Sequence, residues 1–227
     1  MKQITELLKR TGKYNIVFVG DSLTSCEWVH PNWREIVEYV IKEELQKEFE
    51  DWRIPSWGIR CFNYGFDGCT TSDILMLLPE EADLVLGLMG GNDPVLGVKV
   101  EETKINLEKI FEKFKDSEII WSTSLPDLRN NKKVIYEPYR QVTKEVGGDK
   151  VIDGFEWCSK FDLTRFFTFK SEENVVEGIK EGEIDPMHPN QLGNAYIAKM
   201  FLEKLGFDFD SEKYIEGTLQ GEKYPGY

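Results

Sequence analysis

Histidine, paired cysteine and positive charge are all scarce in this chain, and each scarcity closes off a class of function. Of 227 residues only two are histidine, His30 and His188, so a metal site built from Asp185, His188 and Asp93 would have no second histidine nearby in sequence. The four cysteines, Cys26, Cys61, Cys69 and Cys158, form neither a CxxC pair nor a zinc-ligand spacing, and are expected as reduced thiols. Lys and Arg number 28 against 41 Asp and Glu, a formal net charge of −13. That balance repels phosphate backbones and anionic lipid, which argues against nucleic acid or membrane as the main partner. No apolar run approaches bilayer length, and neither GxxxxGK[ST] nor GxGxxG occurs. There is no internal repeat, no low-complexity tract and no linker rich enough in Pro, Gly or Ser to split the chain. Nothing at the N-terminus resembles an export signal, so a cytoplasmic protein is expected.

What is present suits one generous domain. With 41% hydrophobic and 13% aromatic residues the chain is able to bury a full core without staples. Met1 to Lys13 carries an amphipathic helix pattern ending near Gly12. Apolar strand-like runs follow at Asn15 to Val19, Ile59 to Tyr64, Asp83 to Met89, Glu118 to Ser122 and, more weakly, Lys150 to Asp153. Between them lie helical periodicities. Trp33, Ile36, Val37, Val40, Ile41 and Leu45 share one face; Ile74, Leu75 and Leu78 mark a short helix; Ile105, Leu107, Ile110, Phe111 and Phe114 mark a longer one. A fourth covers Val134 to Val146, and a last runs from Asn190 to Leu205, with Leu192, Ala195, Ala198, Leu202 and Leu205 inward and Gly206 placed to end it. This alternation, with strands too apolar to have a wet face, predicts an α/β fold: a parallel sheet covered by helices on both sides.

In such folds ligands bind beyond the carboxyl ends of the strands, where the strand order reverses. The residues just past the first three strands are Gly20-Asp21-Ser22, Gly65-Phe66-Asp67-Gly68 and Gly90-Gly91-Asn92-Asp93. They supply one hydroxyl nucleophile, an amide donor and glycines that let backbone N–H groups face a ligand. A serine hydroxyl needs a base. His188 sits in a proline-stiffened loop, Asp185-Pro-Met-His-Pro-Asn190, where Asp185, three residues earlier, is placed to accept from one ring nitrogen and aim the other outward. His30, in Trp28-Val-His-Pro-Asn32, has no such partner in its own turn.

These four blocks, Gly20-Asp-Ser-Leu23, Asn63-Tyr-Gly-Phe-Asp-Gly68, Gly90-Gly-Asn-Asp93 and Asp185-Pro-Met-His188, resemble in order those of the SGNH or GDSL hydrolases. The resemblance spans roughly residues 14–205 and leaves 206–227 as a tail of underived role. It implies a three-layer α/β/α, flavodoxin-like fold with a five-stranded parallel sheet of order 2-1-3-4-5. It also implies Ser22 as nucleophile, His188 as general base and Asp185 as its orienter. The oxyanion donors would be the Ser22 and Gly68 backbone N–H groups and the Asn92 side chain, with Gly65 as the fallback for Gly68.

The activity expected is hydrolysis of a carboxylic ester through an acyl-enzyme, with a short acyl group such as acetyl on a carbohydrate or small alcohol. The scheme requires no metal or organic cofactor, its partner is a small-molecule ester, and the oligomeric state stays open. Thioesterase, lipase or acyltransferase activity is also implied by the family. From other classes, a phosphate- or nucleotide-binding module and a non-catalytic protein that kept the fold are the alternatives; Asp21, Asp67 and Asp93 beside the crevice disfavour a bound anion. Trp28, His30 and Trp33 are candidates to wall the site, with Trp33 expected in the core. Phe155 to Phe169 carries six aromatic residues that either wall an acyl pocket or pack ordinarily, and the charged run Ser171 to Glu183 reads as a solvated excursion or a lid.

Overall fold

β1 (Tyr14–Gly20) lies inside a five-stranded parallel sheet of order β2-β1-β3-β4-β5, with β2 at Ile59–Gly65, β3 at Leu84–Leu88, β4 at Glu118–Ser122 and β5 at Val151–Ile152. The computed structural model describes residues 2–25, 27–49, 51–129, 133–171 and 179–227. Cys26 and positions 172–178 of the charged excursion therefore lie outside the described residues. Nine helices accompany the strands among the described residues: α1 (Lys2–Thr11), α2 (Trp33–Phe49), α3 (Arg53–Gly58), α4 (Thr71–Ile74), α5 (Val100–Lys113), α6 (Lys133–Gly147), α7 (Gly154–Cys158), α8 (Gln191–Leu205) and α9 (Ser211–Leu219). The strand order matches the expected 2-1-3-4-5, and helices cover both faces.

The alternation of side chains along β1 buries both of its faces, whereas the edge strand β2 departs from the expectation that no strand has a wet face, with Arg60, Phe62 and Asn63 exposed. Ile16 and Phe18 enter a cluster with Trp33, Ile36 and Val40 of α2 and Phe201 of α8, while Val17 and Val19 enter a second with Val85, Leu107, Ile110 and Trp121. Trp33 is fully buried, edge-on to Phe18 and stacked on Phe201, a core residue as its spacing implied.

The departures from the sequence reading have local causes. Asp83 stops short of β3 because its carboxylate accepts the Asn15 N–H at 2.7 Å. Ile105, expected inward, is 49% exposed. The inward positions on α5 instead include Thr103 and Asn106, whose side chains donate to Asp93 and Thr71, a polar seam that an apolar period does not register. α4 starts earlier than expected, under a Thr70–Asp73 capping box. α3, α7 and α9 have no counterpart in the sequence periodicity, being too short or too polar to show a period. α9 gives the C-terminal segment a packing role: Phe209 and Tyr214 are buried, and Tyr227 donates from its hydroxyl to Glu44 of α2 at 2.7 Å.

Candidate active site

The loop that carries Ser22 is sharp because two glycines let it fold back on the sheet. A Cβ on Gly20 would stand 2.0 Å from Thr24 Oγ1 and 2.8 Å from the Leu88 carbonyl oxygen, and one on Gly65 would stand 2.5 Å from the Thr24 backbone carbon. Gly20 and Gly65 face each other across the β1–β2 ladder, so any side chain at either place would push the loop off the strand ends. Within the loop, the Asp21 carbonyl accepts from Thr24 and Ser25 N–H, and Asp21 Oδ1 accepts from Leu23 N–H at 3.1 Å. Asn32 closes the far end by donating to the Leu23 and Ser25 carbonyls.

The second half arrives from the end of the chain. Asp185 N–H donates to the Phe169 carbonyl, and the Pro186 carbonyl accepts from Leu128 N–H, which seats the loop beside the segment after β4. Asn190 caps α8 by accepting from Gly193 N–H, and Asn194 Oδ1 accepts from Trp33 N–H, tying the start of α8 to the start of α2. Asp185 Oδ1 accepts from the Met187 and His188 backbone N–H groups, and Oδ2 accepts from His188 Nδ1 at 2.6 Å. That leaves His188 Nε2 3.1 Å from Ser22 Oγ. The three residues named from sequence thus form one continuous chain, with Asp185 and His188 both 6% exposed.

The third strand end contributes Asn92, whose side chain lines the same cavity as Ser22, Asp67, Gly68 and His188. Asn92 Nδ2 donates one hydrogen to the Cys69 carbonyl at 3.0 Å. Gly65, the fallback donor, is committed elsewhere: its N–H donates to Asn63 Oδ1 at 2.8 Å. Asp93 turns away from the cavity and accepts from Thr71 N–H, Thr71 Oγ1 and Thr103 Oγ1, which leaves it no role as a ligand beside His188. His30, read from sequence as partnerless, has one in the fold: its Nδ1 is 3.2 Å from Glu35 Oε2, in a largely exposed pair apart from Ser22.

Electrostatics distinguish the acids. Burial pushes the Asp21 carboxyl up to about 6, against the Leu23 N–H bond and the nearby His188, which favour its charge. Burial also acts to raise Asp185, but the His188 hydrogen bond and charge with two backbone N–H bonds outweigh it, and its carboxyl sits below the ordinary range. An ionised Asp185 accepts only, so His188 carries its proton on Nδ1 and presents Nε2 to the serine hydroxyl. Burial pushes the Cys69 and Cys158 thiols up to about 12, which keeps both protonated and poor nucleophiles.

The cavity is about 360 Å³. Its apolar wall is built from Leu88, Met89, Leu125, Phe166, Phe167 and Ile197, and its polar rim from Asp67, Asp127, Arg129 and Tyr136. Two of the six aromatic residues of the 155–169 segment therefore line the cavity. Phe161 instead packs between Trp157, Phe166 and Tyr196, and Phe155 lies under the Arg140 guanidinium. Arg129 is held by Asp127 and donates to the Tyr136 hydroxyl at 3.2 Å. Of these rim groups Asp67 follows the second strand and is read from sequence beside the crevice; Asp127, Arg129 and Tyr136 carry no sequence signal, because they meet only through the loop after β4 and the first turn of α6. Trp28, weighed only as a wall, lies flat against the His188 ring at 3.7 Å between centroids.

A hydroxyl hydrogen-bonded to an oriented imidazole, beside amide donors and an apolar cavity, is equipped for acyl transfer. Neither a family model nor a curated protein matches the chain. Solved structures do. The lipase/acylhydrolase from Enterococcus faecalis is 19% identical, with a TM-score of 0.64 over 85% of this chain and 95% of that one. The acetylxylan esterase Axe2 from Geobacillus stearothermophilus is 20% identical, with a TM-score of 0.58 over 86% and 95%. A member of the lipolytic protein G-D-S-L family from Veillonella parvula is 19% identical, with a TM-score of 0.58 over 84% and 97%. With the strand order and these likenesses together, the chain has the fold of the SGNH/GDSL hydrolases.

Proposed function

We propose that the protein hydrolyses carboxylic esters through an acyl-enzyme on Ser22. The observation that carries this reading is the unbroken relay from Asp185 Oδ2 to His188 Nδ1 at 2.6 Å and from His188 Nε2 to Ser22 Oγ at 3.1 Å. In the first half-reaction Ser22 Oγ attacks the ester carbonyl as His188 Nε2 takes its proton, and the resulting imidazolium returns that proton to the leaving alcohol. The Ser22 and Gly68 N–H groups and the second N–H of Asn92 receive the oxyanion. Water then repeats the sequence and frees the acid. The scheme uses no metal and no organic cofactor.

The neighbour from Geobacillus is described as an acetylxylan esterase, in keeping with the acetyl ester expected from sequence. The cavity favours a longer chain. Its 360 Å³ equals about twelve waters at ~30 Å³ each, far more than a methyl group fills, and its wall is apolar. The substrate class proposed is therefore an ester whose acyl chain enters the apolar side and whose alcohol meets the rim of Asp67, Asp127, Arg129 and Tyr136. Carboxylates at that rim make a phosphate or nucleotide the poorer fit.

The test is turnover of a p-nitrophenyl ester series, with and without chelator, beside labelling by an organophosphonate. Chelator-resistant turnover, one label on the peptide holding Ser22, and a folded but inert Ser22→Ala variant are expected. Labelling elsewhere, or full activity in Ser22→Ala, overturns the assignment.

A further inference from the structure

We infer that Trp28 is a positioning residue for the general base, holding the His188 ring in plane while the serine exchanges partners. This rests on the function proposed above. The indole and imidazole planes are 5° from parallel with centroids 3.7 Å apart, so Trp28 covers one whole face of the ring whose two nitrogens bond Asp185 and Ser22. The indole is itself tethered: Trp28 Nε1–H donates to Asp67 Oδ1 at 2.8 Å. Asp67 directly precedes Gly68, so one side chain spans the nucleophile loop, the base and the loop after β2.

The chemistry gives this strut a task that the Asp185 hydrogen bond does not complete. Asp185 fixes the Nδ1 corner of the ring, but a ring held at one corner still swings about that bond. In the free enzyme Ser22 Oγ holds the opposite corner. Once Ser22 is acylated its oxygen no longer carries a proton, and the Nε2 corner must stay in place to activate water instead. The flat contact with Trp28 restrains the ring through that interval. The indole face also attracts the imidazolium that forms in each half-reaction, and its area keeps water off that side. A tryptophan serving only as a cavity wall would need neither coplanarity with the imidazole nor a tethered N–H.

Two histidines in the whole chain make the contact directly readable. In the proton NMR spectrum the ring protons of His188 should be displaced upfield by the indole ring current, with the exposed His30 as the internal control. Trp28→Leu should abolish the displacement and lower kcat on the order of tenfold, with KM changed by less than about threefold. Trp28→Phe, which keeps an aromatic face and loses the tether, should recover part of both. Asp67→Ala, which keeps the indole and removes its anchor, should fall between Trp28→Phe and the parent.

Retention of kcat within twofold in Trp28→Leu, a loss confined to KM, or a Phe variant no better than the Leu variant each overturns the inference. Should Trp28→Leu fail to fold by circular dichroism, Asp67→Ala decides, and an unchanged His188 spectrum and kcat there overturn it. The two readings separate cleanly. Wild-type protein inert toward every ester fails the function while the spectrum still reports on the contact; active protein silenced by Ser22→Ala but indifferent to Trp28→Leu fails the inference alone.

Discussion

The Asn92 side chain donates from Nδ2 to the carbonyl oxygen of Cys69 at 3.0 Å, one residue past Gly68. An amide nitrogen carries two hydrogens, so this bond aims the second toward the cavity that Asn92 and Ser22 both line. In the proposed mechanism an amide held this way stabilises charge that develops only in the transition state. Asn92→Ala should lower kcat on the order of 10²–10³ with little change in KM. Asn92→Asp should be at least as poor, because a carboxylate repels both the Cys69 carbonyl and the oxyanion. Near-full kcat in Asn92→Ala would remove Asn92 from the oxyanion site.

Asp21 should trade stability against activity in a pH-dependent way. Its folded carboxyl is raised from 3.8 to about 6 by burial, so the folded state binds a proton more tightly than the unfolded chain and stability falls as pH rises from about 4 to 6. Asp21→Asn removes that titration and keeps an oxygen for the Leu23 N–H. Above pH 6 the variant should exceed the parent by on the order of 2–3 kcal/mol, and the gain should vanish as pH approaches 4. Its kcat should drop, since the carboxylate near His188 favours the imidazolium. Thermal melts at pH 4 and 7.5 check this, and an equal offset at both would show that Asp21 does not titrate in this range.

Chain length should tell in turnover. Each methylene buried against Leu125, Phe166 and Ile197 contributes about 0.8 kcal/mol, so kcat/KM should climb about fourfold per carbon beyond acetyl until the cavity is full. Cys158 also lines the cavity, so Cys158→Phe fills part of that space and should shorten the optimum while leaving acetyl turnover within about twofold. A parent enzyme fastest on acetyl would return the assignment to short acyl groups.

The C-terminal segment should prove structural. Phe209 is 1% exposed and packs against Tyr214 and Tyr227. Phe209→Ala should cost about 3–5 kcal/mol and lower Tm on the order of 10 °C. A calorimetric Tm within 2 °C of the parent would show that the segment packs too loosely to contribute.

By itself the sequence determined the sheet and the relay. Strands buried on both faces must be apolar at nearly every position, so β1 and β4 were legible as runs, and α8 was legible from its inward stripe, its asparagine cap and Gly206, which closes it with φ 83°. Ser22, Asp185 and His188 were legible because each sits in a short motif at a strand end or in the turn before a helix, where local geometry alone aims a side chain. The tertiary structure alone decided the rest. The inward Thr103 and Asn106, the joint lining of the cavity by Asp67, Arg129 and Tyr136, and the Trp28 face on His188 are contacts between groups whose meeting depends on how the loops settle over the finished sheet. No periodicity or spacing encodes such meetings, because the side chain that satisfies a buried donor or covers a ring is chosen by proximity in space rather than by order along the chain.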